Sequence, residues 1–343
     1  AERHRLNGGR IPFRADVATG LADDHPANRP APGAPDFTAM FAASGLLQYG
    51  LWRGDAEALA LGRDLFDREL QIAGAGLPYG PRMIMVGVIV ELLKAGGRVP
   101  ASGNGPAGTS AWLAPERLVA TALPLVDHVL AHHFRADGAE VGAPGGAAFW
   151  ETSDPEGRPI ADASGAIVVD PGHATELAGF IAELAPFLDD RERRRLIAAA
   201  LAIHLFADRI GFTPAGVMSK FVDLRTGRFL GDTQAAAASG GPARPTAPWW
   251  NVREHSAGAL CLYTLTGDPR LIETYRRAQH ASYRCYPNER IGGQMIQTVD
   301  PFTLEPLDIA PATGNLDPMH DPRSREREIE CLERLIVTTR PGS

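Results

Sequence analysis

The chain of 343 residues is 44% hydrophobic and carries a formal net charge of −7. This composition indicates a globular protein with enough apolar material for a large core. The mild acidity, and the lack of a lysine and arginine stripe interleaved with aromatic residues, argue against nucleic acid as a partner. No run of about 20 apolar residues occurs, so we expect no segment that crosses a membrane.

Three widely spaced cysteines, Cys261, Cys285 and Cys331, are odd in number. They are interpreted as buried or reduced thiols, which is typical of a cytoplasmic protein. The charged segment 1–5 (AERHR) is not followed by an apolar run, so we expect no signal peptide. No charged or serine-rich linker divides the chain, which predicts one domain over residues 1–343 with an irregular segment at 1–35.

From residue 37 onward, apolar residues recur at helical spacing. The pattern predicts nine helices, near 37–51, 55–72, 81–96, 114–134, 172–187, 190–208, 247–265, 269–285 and 322–337. Tight turns built from glycine and aspartate join successive helices at 53–55, 188–190 and 266–269. Repeated helical hairpins of this kind indicate an all-α toroid or solenoid rather than a bundle.

Longer segments with turn and strand character separate alternate helices, at 136–171, 209–246 and 286–321. We expect short β-hairpins inside them, one joining 221–224 to 227–230 and one joining 290–300 to 304–307. In an α/α toroid such loops gather at the mouths of the inner helices, where loops often carry function.

The segment 168–181 contains the first candidate site. A Pro-Gly turn precedes His173 in the first turn of a predicted helix, and Glu176 follows one turn later on the same face. This pair could bind a metal, orient a proton shuttle, or form a satisfied structural pair. No HExxH or CxxC motif accompanies it, so a zinc site is not predicted.

Two further segments carry polar groups at helix starts. Trp250 and Glu254 lie one turn apart in 249–255 (WWNVREH), where the tryptophans could be core residues or a platform for the C–H face of a sugar ring. His320 and Arg323 lie one turn apart in 318–323 (PMHDPR), which could also be an N-cap region with surface charges. Residues 103–108 match GxGxxG, but they follow a helix and contain proline, so a dinucleotide site is not predicted.

Together, three motifs in order resemble the N-acylglucosamine 2-epimerase superfamily, which includes cellobiose 2-epimerases and aldose–ketose isomerases. Residues 171–176 (PGHATE) resemble its PGHxxE segment, and 249–254 (WWNVRE) resemble its WWxxxE helix. Gly292 and Gly293, followed by 318–323, resemble its GGW hairpin and YHxxR motif. Here Gln294 stands in place of the tryptophan and Met319 in place of the tyrosine.

The resemblance implies an (α/α)6 barrel of twelve helices. The nine predicted helices are three short of that number, so we expect the first helices of the family to be missing. The family also carries a histidine and a glutamate on the helix predicted at 81–96, where this chain has Ile84 and Gly87. Arg82 is the polar group nearby that could compensate in binding substrate.

The resemblance further implies removal of a proton next to the carbonyl of an open-chain sugar, with neither a redox cofactor nor a metal. It assigns His173 and His320 as the acid–base pair, since histidine has an ordinary pKa of about 6.5. Glu176 would orient His173, Trp250 would pack against the sugar ring, and Glu254 and Arg323 would hold its polar groups. The family is often dimeric, which leaves a homodimer open as the assembly of this chain.

Two other classes of function stay open from the sequence. An α/α toroid also hosts glycoside hydrolases and polysaccharide lyases, and hydrolysis would use two carboxylates, for which Glu176 and Glu254 are available. A non-catalytic sugar-binding relative is the third alternative, supported by Ile84, Gly87 and the missing helices.

Overall fold

The computed structural model describes residues 7–12, 15–16, 18–24, 28–29, 31, 33–75, 79–98, 112–233, 235–236, 240–288, 294–307 and 320–339. The chain divides into two compact units, residues 1–129 and 130–343. Nine α-helices lie in the described residues, at nearly the positions that the sequence predicts. No described helix combines the length and apolar character needed to cross a membrane.

The first unit contains helices α1 (Phe37–Arg53), α2 (Ala56–Ala75) and α3 (Tyr79–Arg98), and most of α4 (Pro115–His133). The Asp36 side chain caps α1 by accepting from the Ala39 amide, and Gly54 ends it in the left-handed conformation at φ 67°. The sequence predicts the turn at Gly54, the structure adds the cap at Asp36, and together they set the bounds of the helix.

The second unit contains α5 (Pro171–Leu184), α6 (Asp190–Gly211), α7 (Trp249–Thr266), α8 (Pro269–Cys285) and α9 (His320–Thr339). Helix α7 packs against each of the other four. Its residues 251–262 are all buried, including five polar side chains near its start. A helix buried on every side must pair its polar groups internally, and one of them, Glu254, does so inside the candidate site.

Short strands order the loops of the second unit. The strands are β1 (Phe134–Arg135), β2 (Ala148–Phe149), β3 (Val168–Val169), β4 (Val222–Asp223), β5 (Ala247–Pro248), β6 (Pro287–Asn288), β7 (Gln294–Met295) and β8 (Thr298–Val299). All pairs are antiparallel: β1 with β2, β3 with β4, β5 with β8, and β6 with β7.

Two of these pairs fix helix starts. Strand β3 ends at Val169, two residues before the first residue of α5, and β5 leads directly into α7, so each pairing anchors the backbone next to a helix start. The two predicted hairpins are also present, through bridges between Val222 and Phe229 and between Val299 and Pro306. The pairing of β3 with β4 and of β5 with β8 joins segments that the sequence pattern did not connect.

The three cysteines are free thiols, as predicted, with Cys261 and Cys331 buried. Their sulfur atoms lie 3.4 Å apart, between α7 and α9. The prediction of one domain for residues 1–343 stays a prediction beside the division into two compact units.

Candidate functional site

The start of α5 positions the first histidine. Asp170 is fully buried at the N-cap, and its Oδ1 accepts from the amides of Gly172 at 3.0 Å and His173 at 3.2 Å. Pro171 follows at the first helical position, where proline fits because its missing N–H needs no partner. This local arrangement holds the backbone of His173 in one orientation, while its side chain remains 30% exposed.

Two carboxylates face one nitrogen of His173. Its Nδ1 lies 3.3 Å from Asp170 Oδ2 and 3.4 Å from Glu151 Oε2. Carboxylates only accept, so Nδ1 is the donating nitrogen and Nε2 carries the lone pair in the neutral ring. This is the tautomer that a general base requires.

The charges around His173 act against one another. Burial by itself lowers the pKa of His173, and the nearby Lys220 ammonium lowers it further. The negative charges of Asp170 and Glu151 outweigh both, so the pKa of His173 lies above its ordinary value of 6.5.

The start of α9 presents the second histidine in a similar way. His320 Nδ1 lies 3.0 Å from Glu254 Oε1, and the His320 side chain is 19% exposed whereas Glu254 is buried. The two histidines therefore share one design, in which a buried carboxylate faces Nδ1 and the ring reaches the surface of the site.

A chain of alternating charges lies beneath His320. Arg323 donates to Glu176 at 2.7 Å and to Glu254 at 2.6 Å, and Arg327 contacts Glu254 at 3.1 Å and Glu183 at 2.5 Å. Burial alone would raise the pKa of Glu254, but the positive charges of Arg323 and its other neighbours hold that pKa below its ordinary value. Arg323 thus binds both Glu176 and Glu254, the two carboxylates of this cluster that belong to the sequence motifs.

Trp250 connects the two histidines. Its ring centroid lies 5.5 Å from that of His173, at an interplanar angle of 33°, and 5.1 Å from that of His320, at 23°. These are distances of ordinary aromatic contact. One indole therefore touches both rings that the resemblance assigns to acid–base chemistry.

The structure brings six of the seven predicted site residues into one region of the second unit: His173, Glu176, Trp250, Glu254, His320 and Arg323. Glu176, expected to orient His173, pairs with Arg323, while Asp170 and Glu151 face the Nδ1 of His173. Arg82 belongs to the first unit, where it is buried and donates to the Gly74 carbonyl at 2.9 Å. Its role in binding substrate stays a prediction.

Part of the third motif lies outside the described residues, namely Gly292, Gly293, Pro318, Met319 and the side chain of Gln294. Sequence reasoning also missed three residues of the site: Glu151, Asp170 and Lys220. Asp170 had a readable signal, since an aspartate directly before a Pro-Gly helix start is a typical N-cap. Glu151 and Lys220 lie in loops without periodic pattern and gave none.

Two groups of ligand-type side chains among the described residues lie close enough to surround a metal ion: Glu151 with Asp170 and His173, and Glu176 with Glu254 and His320. A cationic side chain already contacts each group. Lys220 Nζ lies 2.5 Å from Asp170, and Arg323 bonds both glutamates of the second group. A metal ion would have to displace these side chains, so neither group is proposed as a metal site.

Comparison of the sequence with family models and with curated proteins gives no match. Solved structures do match. A sugar epimerase from a ruminal bacterium aligns with a TM-score of 0.62 and 16% identity, over 99% of this chain and 80% of the other. Cellobiose 2-epimerase from Bacillus thermoamylovorans aligns at 0.59 and 15%, over 85% and 71%. A D-mannose isomerase aligns at 0.54 and 15%, over 88% and 71%.

These similarities confirm the predicted all-α class of toroids and show the fold of the sugar epimerases and isomerases that the sequence motifs resemble. The same fold is also found in a polysaccharide lyase, which aligns with a TM-score of 0.51 and 8% identity over 90% of this chain and 77% of the other. Proteins with different activities therefore share this fold, and the residues of the site, not the fold, must indicate a function.

Proposed function

We propose that this protein is a sugar 2-epimerase or an aldose–ketose isomerase that acts on an open-chain sugar through His173 and His320. The observation that carries the proposal is the pair of histidines, each with Nδ1 against a carboxylate and each in contact with Trp250. Two rings of this kind, partly exposed and in contact with the same indole, suit the removal and return of a proton at neighbouring positions.

The reaction follows from ordinary carbonyl chemistry. One histidine takes the proton from C2 of the open-chain aldose. The electron pair of that C–H bond forms the C1–C2 double bond, and the π electrons of the C1 carbonyl move to its oxygen, which gives an enediolate or, after protonation of that oxygen, an enediol. The other histidine delivers a proton to C2 from the opposite face, which gives the epimer. If one histidine serves both carbons, it returns the proton to C1, the C2 hydroxyl gives up its proton, and the carbonyl forms at C2, which gives the ketose.

The carboxylates support this reaction over hydrolysis by a carboxylate pair. Glu176 and Glu254 present oxygen atoms within 4.8 Å of each other, and both bond to Arg323. A glycoside hydrolase needs one of its two carboxyls protonated, at a separation of about 5–9.5 Å across the scissile bond. The arginine and His320 favour the ionised form of Glu254, which makes it a poor general acid and a good positioning group.

The test is deuterium incorporation at C2, followed by proton NMR in heavy water with a panel of free aldoses. His173→Gln and His320→Gln are compared with His280→Gln, which changes an exposed histidine on α8. An epimerase with two bases should lose net epimerisation in both site variants. Each variant should retain exchange for one epimer only, with opposite epimers in the two variants, while His280→Gln behaves like the unmodified protein.

An isomerase that uses one base should lose all exchange in one of the two variants. Wild-type rates of exchange and conversion in both His173→Gln and His320→Gln would contradict the proposal.

A further inference from the structure

Lys220 is a buried lysine of the site that no sequence motif indicated. It precedes β4, and the antiparallel register pairs Val169 with Val222, which brings Lys220 alongside the start of α5. Its backbone amide donates to the Thr246 carbonyl at 2.7 Å, so the chain is fixed on both sides of the residue. The residue is nine-tenths buried.

The ammonium group of Lys220 contacts two groups that support the histidines. Its Nζ lies 2.5 Å from Asp170 Oδ2, the same oxygen that lies 3.3 Å from His173 Nδ1. It also lies 4.5 Å from the ring centroid of Trp250, within the range of a cation–π contact. The positive charge of Lys220 thus acts on Asp170 and Trp250, two of the groups next to the His173 ring.

The charge balance around His173 makes this contact consequential. The charged groups that act on its ring include the carboxylates of Asp170 and Glu151 and the ammonium of Lys220, and His320 contacts the same indole, that of Trp250. Two carboxylates without a cation would bind the imidazolium form tightly. A histidine that is protonated at neutral pH cannot accept a proton from a sugar.

We propose that Lys220 is a positioning residue of the site, whose charge offsets Asp170 and Glu151 and thereby keeps His173 available as a base at neutral pH. This inference rests on the proposed function for its purpose, since it assigns a role within acid–base chemistry. The contacts of Lys220 in the structure do not depend on the proposed function.

A purely structural lysine would behave differently. A buried ion pair between Lys220 and Asp170 could hold the β3–β4 loop against α5 without affecting proton transfer. In that case its replacement would lower stability and activity by the same factor at every pH. A lysine that controls the protonation of His173 changes the pH at which activity appears.

The experiment compares Lys220→Gln and Lys220→Met, which remove the charge, with Lys220→Arg, which keeps it. The titration of the His173 ring is followed by NMR of protein labelled at histidine, with His173→Gln used to assign the signal. We expect the midpoint pH of His173 to rise by about 1 in the neutral variants, the size typical of a nearby charge. Lys220→Arg should stay near the unmodified protein.

The pH profile of kcat/KM gives the second readout. Its acidic limb should move to higher pH in Lys220→Gln, with about tenfold lower activity below both midpoints and little change above them. An unchanged His173 midpoint in a folded neutral variant, or an equal rise in Lys220→Arg, would overturn the inference. If Lys220→Met does not fold, Lys220→Gln retains a hydrogen bond to Asp170 and decides the question.

The two proposals fail separately. If the unmodified protein shows no exchange at C2 with any aldose, the proposed function is wrong, and the NMR titration still reports whether Lys220 controls His173. If exchange is present and the titration midpoint does not move, only the role of Lys220 is wrong.

Discussion

Arg323 on α9 donates a hydrogen bond to Glu176 on α5 across 2.7 Å, and the two residues are 147 positions apart in the chain. The same nitrogen donates to Glu254 on α7 at 2.6 Å. One guanidinium therefore ties together the three helices that carry the three sequence motifs. Each motif thus supplies one charged group to a shared network, although the motifs lie far apart in the sequence.

Replacing Arg323 with methionine should lower the free energy of unfolding by about 3–5 kcal/mol, because Glu176 and Glu254 are both buried and would lose a shared cationic partner. Urea unfolding followed by circular dichroism measures the loss. Arg325→Met is the matched control on the same helix, since Arg325 is 40% exposed and pairs with Asp321 at the surface. That control should lose less than about 1 kcal/mol. Equal losses in the two variants would show that the network has no special role in stability.

The helices could be predicted because their ends are marked locally. Gly54 and Gly267 end α1 and α7 in the left-handed conformation, and Asp189 and Asp268 cap α6 and α8. These signals depend on one or two residues each, so a single sequence contains them in full.

The partners inside the site could be predicted only in part. His173, Glu254 and His320 could be brought together because the resemblance orders their motifs. The pairing of His173 with Glu151 and of Lys220 with Asp170 depends on the course of loops and on strands of two residues. Such short strands carry too little alternation to fix a register from sequence, so the loop residues could not be placed beforehand.

Glu254 should make stability depend on pH in the acidic range. Its pKa is lower in the folded protein than the ordinary value of 4.5, so its ionised form stabilises the fold at higher pH. This stabilisation is present above about pH 4.5 and is lost as the pH falls, with a slope of up to about 1.4 kcal/mol per pH for one group. Thermal unfolding between pH 3 and 7 should show a steep loss that Glu254→Gln flattens. Glu156→Gln, at a 64% exposed carboxylate, is the control and should leave the slope unchanged; parallel curves for Glu254→Gln would contradict the prediction.

A pair of buried histidines should add a second dependence nearer to neutrality. The rings of His204 and His255 stack at 4.2 Å, and burial lowers the pKa of each. A histidine with a lowered pKa stays neutral in the fold while the unfolded chain takes up a proton. Its stabilisation is therefore complete above about pH 6.5 and decreases as the pH falls below that value.

Replacing His204 with glutamine should reduce the loss of unfolding free energy between about pH 6.5 and 5, because one of the two groups no longer titrates. Urea unfolding at several pH values measures the slope. His280→Gln removes an exposed histidine and serves as the control. A wild-type slope in His204→Gln would mean that the buried pair does not set the dependence.

Gly172 should not tolerate a side chain, because a Cβ at this position would lie 2.4 Å from Asn251 Oδ1. Asn251 is fully buried and donates to the Ser219 carbonyl at 3.2 Å, so it has little freedom to move. Gly172→Ala should therefore lower the free energy of unfolding by about 1–3 kcal/mol, the usual range for an overpacked core. The variant should also slow proton exchange at C2, since Gly172 directly precedes His173. Urea unfolding and the NMR exchange assay measure the two effects.

The control for Gly172→Ala is Gly45→Ala, within helix α1, where an added Cβ meets nothing within 4 Å. That substitution should raise the free energy of unfolding by about 0.5–1 kcal/mol, because alanine loses less backbone entropy than glycine in a helix. The double variant Gly172→Ala/Asn251→Ala removes the atoms that overlap. It should recover part of the loss, with a coupling of at least about 0.5 kcal/mol between the two sites. If the double variant loses the full sum of both single changes, the close approach of α5 to α7 does not set the position of His173.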